Sequence, residues 1–293
     1  MNLFWTSVIL VLALVISGVV EASTMQPQGI YGSDDRKEVC EHEDVSLRML
    51  AHGTLAMVQK TAVNVDDAGK FILNTKTYGE KQSLCKTESF WSQPTVADCS
   101  GFLIGEDLLV TAGHCVFKAS CGKDLWVFNY QMKSDGSFEK TFEKEDVYKC
   151  QEILVREQSK TIDYAVIKLN RKVRGGVPVK MRTGPEPKVG DGMFVIGYPM
   201  GLPAKIAGNA NLRKWGVQKR YFVANLDTYG GNSGSPVFNA NTLEVEGILA
   251  RGDVDFVNNG ACKVSKKCTD GGCDGEEVTN ITYVIESLRA NLR

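Results

Sequence analysis

From Thr54 onward the chain is a succession of short apolar runs interrupted by Gly, Asn or Asp. Leu55-Ala56-Met57-Val58, Leu125-Trp126-Val127-Phe128, Ala165-Val166-Ile167 and Phe194-Val195-Ile196 are typical. Each is too short for a core helix and is bounded by turn formers, so many short strands are predicted, in a sandwich or a barrel. Only the last ten residues carry a helical spacing: Val284, Ile285, Leu288 and Leu292 share one face, with Arg289 and Arg293 toward the C-terminal end, where cations suit the helix dipole. A seam rich in Arg, Lys, Gly and Pro at residues 171–188 divides the strands into halves at about 54–175 and 185–280, before a helix at about 284–292. Residues 258–277 read as a long irregular loop ahead of the last strand.

The 293 residues, 43% of them hydrophobic, suffice for one large β domain or two smaller units. A formal net charge of −1 gives no reason to expect a nucleic-acid partner or an anionic membrane surface. Leu3 to Val20 is almost wholly apolar, and Val20-Glu21-Ala22 resembles the small-residue cleavage rule of a secretory signal, so residues 1–22 are predicted to be a signal peptide. The usual Lys or Arg before the apolar core is missing, which leaves a retained anchor or a buried helix as alternatives. No second apolar run of that length occurs, and the rest reads as soluble, monomeric, and secreted or periplasmic. The polar stretch 23–37, with Pro27, Gly29 and Gly32, reads as a propeptide (23–29) or an arm on the surface. Nine cysteines in an exported chain without paired C-x-x-C motifs imply disulfides rather than zinc, and the odd number leaves one thiol over. No metal or other cofactor is expected: the acidic loop 270–277 lacks the ligand spacing of a calcium site. Asn280-Ile281-Thr282 fits a glycosylation sequon.

Acyl transfer by a serine needs a hydroxyl on a tight turn, an imidazole to take its proton, a carboxylate to hold the imidazole, and backbone N–H groups facing the developing oxyanion. The nucleophile candidate is Ser233 in Gly230-Gly231-Asn232-Ser233-Gly234-Ser235-Pro236, where glycines let the N–H groups of Gly231 and Ser233 converge. His114, in Val110-Thr111-Ala112-Gly113-His114-Cys115, follows an apolar strand through small residues; His42 and His52 have no such setting. The carboxylate candidate is Asp163, which opens Asp163-Tyr164-Ala165-Val166-Ile167-Lys168-Leu169.

These three strings, in the order His, Asp, Ser, resemble the motifs of the chymotrypsin-like serine peptidases, over about Ile30 to the end of the chain. Asn232 before the serine, the short interval from Asp163 to Ser233, and Ile30-Tyr31-Gly32-Ser33-Asp34-Asp35-Arg36 are similar to the bacterial glutamyl-endopeptidase branch. The resemblance implies an all-β fold of two perpendicular six-stranded barrels with a short C-terminal helix. It implies a peptidase domain at 30–293 with a mature start at Ile30, and a secreted serine endopeptidase acting on protein or peptide substrates. It also implies a Cys99–Cys115 disulfide beside the histidine; Cys40, Cys85, Cys121, Cys150, Cys262, Cys268 and Cys273 stay unassigned.

Departures from the family pattern bear on specificity. Asn232 stands where digestive members carry the Asp that receives a freed N-terminus, and Leu249 stands where glutamyl-specific members carry a pocket histidine. Asp227, six residues before Ser233, has the offset of the acidic pocket floor in trypsin-like members, which implies cleavage after Arg or Lys, with Thr228 adding a hydroxyl and Arg251 a candidate to neutralise Asp227 instead. An α/β-hydrolase is excluded, because no histidine follows Ser233. The alternative is a catalytically silent chymotrypsin-like protein serving as a binding or toxin-like module.

Overall fold

The computed structural model describes residues 29–252 and 254–291. The expected signal peptide, the expected propeptide up to residue 28, and Leu292 and Arg293 lie outside the described residues. An N-terminal arm carries β1 (Ile30–Tyr31) and β2 (Arg36–Glu38), followed by the short helix α1 (Val45–Ala51). The first half continues with β3 (Thr54–Val58), α2 (Tyr78–Gln82), β4 (Cys99–Leu103), β5 (Leu108–Thr111), β6 (Leu125–Val127), β7 (Val147–Gln158) and β8 (Asp163–Leu169). The second holds β9 (Gly192–Gly197), β10 (Lys205–Trp215), β11 (Tyr221–Ala224), β12 (Pro236–Asn239), β13 (Val245–Arg251), β14 (Lys267–Cys268), β15 (Glu276–Asn280) and the C-terminal helix α3 (Thr282–Asn291).

Strands β3 to β8 close into an antiparallel six-stranded barrel in the order β6-β7-β8-β5-β4-β3. A second closes as β9-β12-β13-β15-β11-β10, joined through the β9–β10 pairing, with β2 added along β10. Successive side chains of a strand face opposite sides, and here both sides are covered. On β8, Ala165, Ile167 and Leu169 pack with Leu55, Leu109 and Trp126 in the first barrel's own core. Tyr164 and Val166 instead join a cluster that includes Phe194, Ile196, Phe238 and Ile248 of the second barrel. On β9 the odd positions Met193 and Val195 belong to the second barrel's core with Phe222 and Leu249, while Phe194 stacks on Phe238 at 4.8 Å. Two buried faces are why the strands read as continuous apolar runs rather than as an alternation.

Four expectations need correction. Helices α1 and α2 were not expected. They start at polar caps rather than along an apolar stripe: Asp44 accepts the Ser46 N–H, and Thr77 Oγ1 accepts the Glu80 N–H while donating to the Glu80 carboxylate. The arm is only partly on the surface: Ile30, Tyr31 and Arg36 are 1%, 3% and 5% exposed, while residues 32–34 and Lys37 face solvent. Residues 258–277 are not wholly irregular, since a hairpin (Phe256–Asn259 with Cys262–Ser265) and β14 fall within or across them, and β14 pairs in parallel with β1. The Asn280 sequon is closed to modification, because the side chain is buried and its Nδ2 donates to the Lys219 carbonyl.

Eight cysteines are paired as Cys85–Cys262, Cys99–Cys115, Cys121–Cys150 and Cys268–Cys273, and Cys40 is the free thiol. No helix among the described residues is long and apolar enough to cross a membrane.

Candidate active site

Asp163 opens β8 and His114 follows the end of β5, and the pairing of those strands, with Ala165 opposite Thr111, brings the two side chains together. Asp163 Oδ2 lies 2.8 Å from His114 Nδ1, and Oδ1 accepts the His114 backbone N–H at 3.0 Å. An ionised carboxylate can only accept, so this contact calls for a proton on Nδ1. The Asp163 side chain is 4% exposed and that of His114 33%, so a partly exposed ring rests on a buried anchor. The turn carrying His114 is held from outside by Arg156, whose Nε donates to the Gly113 and Val116 carbonyls at 2.8 and 2.7 Å.

Ser233 comes from the second barrel, on the turn before β12. Strand β4 of the first barrel reaches both groups through consecutive residues. Cys99 is disulfide-bonded to Cys115, the neighbour of His114, and Ser100 N–H donates to the Ser233 carbonyl at 2.8 Å. Ser100 Oγ donates to the Gly231 carbonyl at 2.8 Å, and Cys115 Sγ lies 3.6 Å from the Ser233 carbonyl oxygen. Gly234 makes this approach possible: its φ is +89°, and a Cβ there would stand 2.1 Å from the Ser100 carbonyl oxygen.

The N–H groups along the turn are divided. Those of Gly230, Asn232, Gly234 and Ser235 donate to Asp255, Tyr229, Leu249 and Asn232 respectively. Those of Gly231 and Ser233 donate to no acceptor among the described residues. Two donors are thus left open, at Gly231 and Ser233, in a turn whose other amides from 230 to 235 are satisfied.

Sequence reasoning did not single out Ser100, Arg156 or Thr279. Thr279 Oγ1 accepts the Asp163 N–H at 3.2 Å and lies 3.3 Å from the Asp163 carbonyl oxygen, so a β15 hydroxyl clasps the backbone that carries the carboxylate. Ser100 sits inside the Cys99-Ser100-Gly101 string and could have been found there; Thr279 leaves no signal.

Asp227 is buried and turns its carboxylate to the arm: Oδ1 accepts the Tyr31 N–H at 2.7 Å and Oδ2 the Asp35 N–H at 2.8 Å. Burial pushes its carboxyl up to about 7, against the opposite pull of those two N–H groups. Thr228 Oγ1 donates to Glu276 Oε2 at 2.6 Å. Arg251 pairs elsewhere than with Asp227, donating through Nη1 to Glu277 Oε2 at 3.1 Å and to the Lys160 carbonyl at 2.7 Å. The donor atoms of Cys99, His114 and Cys115 lie within 4.8 Å of one another, but the two sulfurs are bonded together and offer no thiolate to a metal.

The profile of the trypsin-like peptidase domain matches residues 99–248, just over half of the 293-residue chain, and spans His114, Asp163 and Ser233. A comparison with curated protein sequences gives no match. Among solved structures, the chain is similar to the serine endoprotease from Yersinia pestis, with a TM-score of 0.50 at 12% identity. That similarity covers 85% of this chain and 65% of the other, so this chain spans less than two thirds of that protein's length. At such identity the likeness concerns the fold alone.

Proposed function

The chain belongs to the family of trypsin-like peptidase domains, and from that premise we propose that it is a secreted serine endopeptidase with His114, Asp163 and Ser233 as its catalytic triad. Ser233 Oγ attacks the peptide carbonyl as His114 Nε2 takes its proton. The oxyanion is received by the Gly231 and Ser233 N–H groups, and His114 then gives the proton to the leaving amine. Asp163 holds the Nδ1–H tautomer and stabilises the imidazolium. Water repeats the sequence on the acyl-enzyme. The observation that carries this reading is the pairing of His114 with Asp163 at 2.8 Å, beside a serine turn whose only open amides flank the hydroxyl.

In this reading the signal (1–22) and propeptide (23–29) are removed and the mature chain starts at Ile30, as the likeness of residues 30–36 to the glutamyl-endopeptidase branch suggests. Four disulfides support an extracellular or periplasmic address. Cleavage follows Arg or Lys rather than Glu. A buried carboxylate, Glu276, stands beside the segment leading to Ser233 and accepts the hydroxyl of Thr228. A buried carboxylate favours a cationic side chain and disfavours an anionic one.

Hydrolysis of a quenched peptide library by the secreted protein tests both levels. Turnover with an Arg/Lys preference that declines in Glu276→Gln supports the proposal. Turnover with a Glu preference removes the specificity and leaves the peptidase, and no turnover of any peptide counts against the peptidase itself.

A further inference from the structure

The arm at residues 30–36 makes contacts that triad chemistry does not explain. Its backbone bonds to Asp227 are joined by a second attachment. Arg36, 5% exposed, lays its guanidinium over the Tyr229 ring at 4.5 Å and over Phe90 at 5.2 Å. Asp34 neutralises that guanidinium through two bonds, both 2.8 Å, from Nε and Nη2. A buried arginine that is charge-paired and stacked is costly to displace. The arm is also fixed at its start, where Ile30 N–H donates to the Lys266 carbonyl and Gly32 N–H to that of Cys268.

Asp227 and Tyr229 are the residues that lead into Gly230-Gly231-Asn232-Ser233. The Tyr229 carbonyl accepts the Asn232 N–H at 3.1 Å, closing the turn on which the two open amides sit. Tyr229 also stacks with Phe256 at 5.4 Å. The loop is therefore gripped from the first barrel at Ser100 and from the arm at Asp227 and Tyr229.

We infer that the segment Ile30 to Arg36 is a positioning element for the oxyanion site, acting through Asp227 and Tyr229 on the amides of Gly231 and Ser233. The inference rests on the peptidase reading for its consequence in catalysis, but not for its consequence in the order of the loop. Asp227 is on this view a positioning residue, and its carboxylate serves the arm rather than the substrate. Released from the arm, residues 227–231 lose the hold on Asp227 and the Arg36 stack on Tyr229 while keeping their contacts to Ser100, Phe256, Asp255, Glu276 and Met200, and a displacement of about 1 Å at an oxyanion donor lowers rate by about a hundredfold.

Two variants carry the test: Asp227→Asn, which keeps volume and one of the two acceptor oxygens, and Arg36→Met, which keeps the stem and removes the guanidinium. Each is compared with wild type by thermal melting, by the second-order rate of reaction with a fluorophosphonate, and by hydrogen exchange at the Asn232 and Ser235 amides. The expected result is a folded protein that reacts about 10- to 100-fold more slowly, with exchange at those amides at least about tenfold faster. Folded variants that react at the wild-type rate, or that react slowly with exchange unchanged, overturn the inference. A wild type inert to the reagent removes the peptidase reading alone; faster exchange in either variant then still upholds the arm's hold on the loop, and unchanged exchange overturns it.

Discussion

Thr279 of the second barrel clasps the backbone of Asp163 in the first, accepting its N–H at 3.2 Å and standing 3.3 Å from its carbonyl oxygen. The carboxylate paired with His114 is thus located from both barrels. Thr279→Val keeps the shape and strands a buried N–H and C=O, a loss of about 1–3 kcal/mol. Stability in urea is expected to fall by that amount and peptide turnover by about tenfold, while Thr279→Ser restores both. Equal behaviour of the Val and Ser variants would show that the hydroxyl plays no part.

Gly234 is expected to accept no other residue. At φ +89°, a methyl group 2.1 Å from the Ser100 carbonyl oxygen forces the serine turn off β4. Gly234→Ala should cost about 3 kcal/mol or more and abolish peptide hydrolysis. An active Gly234→Ala enzyme with an unshifted melting temperature contradicts the proposed packing of the turn.

The Cys99–Cys115 disulfide closes a loop of 16 residues. In the chain-entropy view it contributes about 3 kcal/mol. The double variant Cys99→Ala/Cys115→Ala should show that loss in denaturant unfolding, and non-reducing peptide mapping of the wild type should recover the pair. Recovery of either cysteine with another partner refutes it.

Legibility followed the kind of interaction. The strands could be read because both of their faces are apolar, and the histidine and serine strings stood out because their small residues mark close backbone approaches, such as Gly234 against Ser100. The arm was illegible because Arg36 looks like a surface residue, and its pairing with Asp34 is what makes its burial tolerable. The setting of Asp227 was illegible for a different reason, since its partners are backbone N–H groups, which every residue type presents. Cys85 and Cys262 bond across a separation of 177 residues, which no local pattern announces.

Asp227 also gives a dependence on pH. Burial holds its carboxyl at about 7 rather than 3.8, opposed by the N–H groups of Asp35 and Tyr31 and assisted by the charges of Asp34 and Asp35. Between about pH 4 and pH 7 the folded chain keeps a proton here that the unfolded chain has released, so stability falls as pH rises through that window and levels off above it. Relative to Asp227→Asn, the wild type should lose on the order of 4 kcal/mol across the window. Urea melts of the two proteins at several pH values measure this, and a constant difference from pH 4 to pH 8 contradicts it.

The most direct measurement is covalent labelling of the secreted protein by an organofluorophosphonate, followed by peptide mass mapping. A triad acting as a unit predicts one adduct per chain, located on Ser233 and absent from Ser233→Ala. It also predicts near-complete loss of labelling in a folded His114→Ala, since single losses in such triads cost on the order of a million-fold in turnover. An unlabelled wild type, or an adduct that persists in Ser233→Ala, would contradict the serine peptidase reading and leave a catalytically silent binding module in its place.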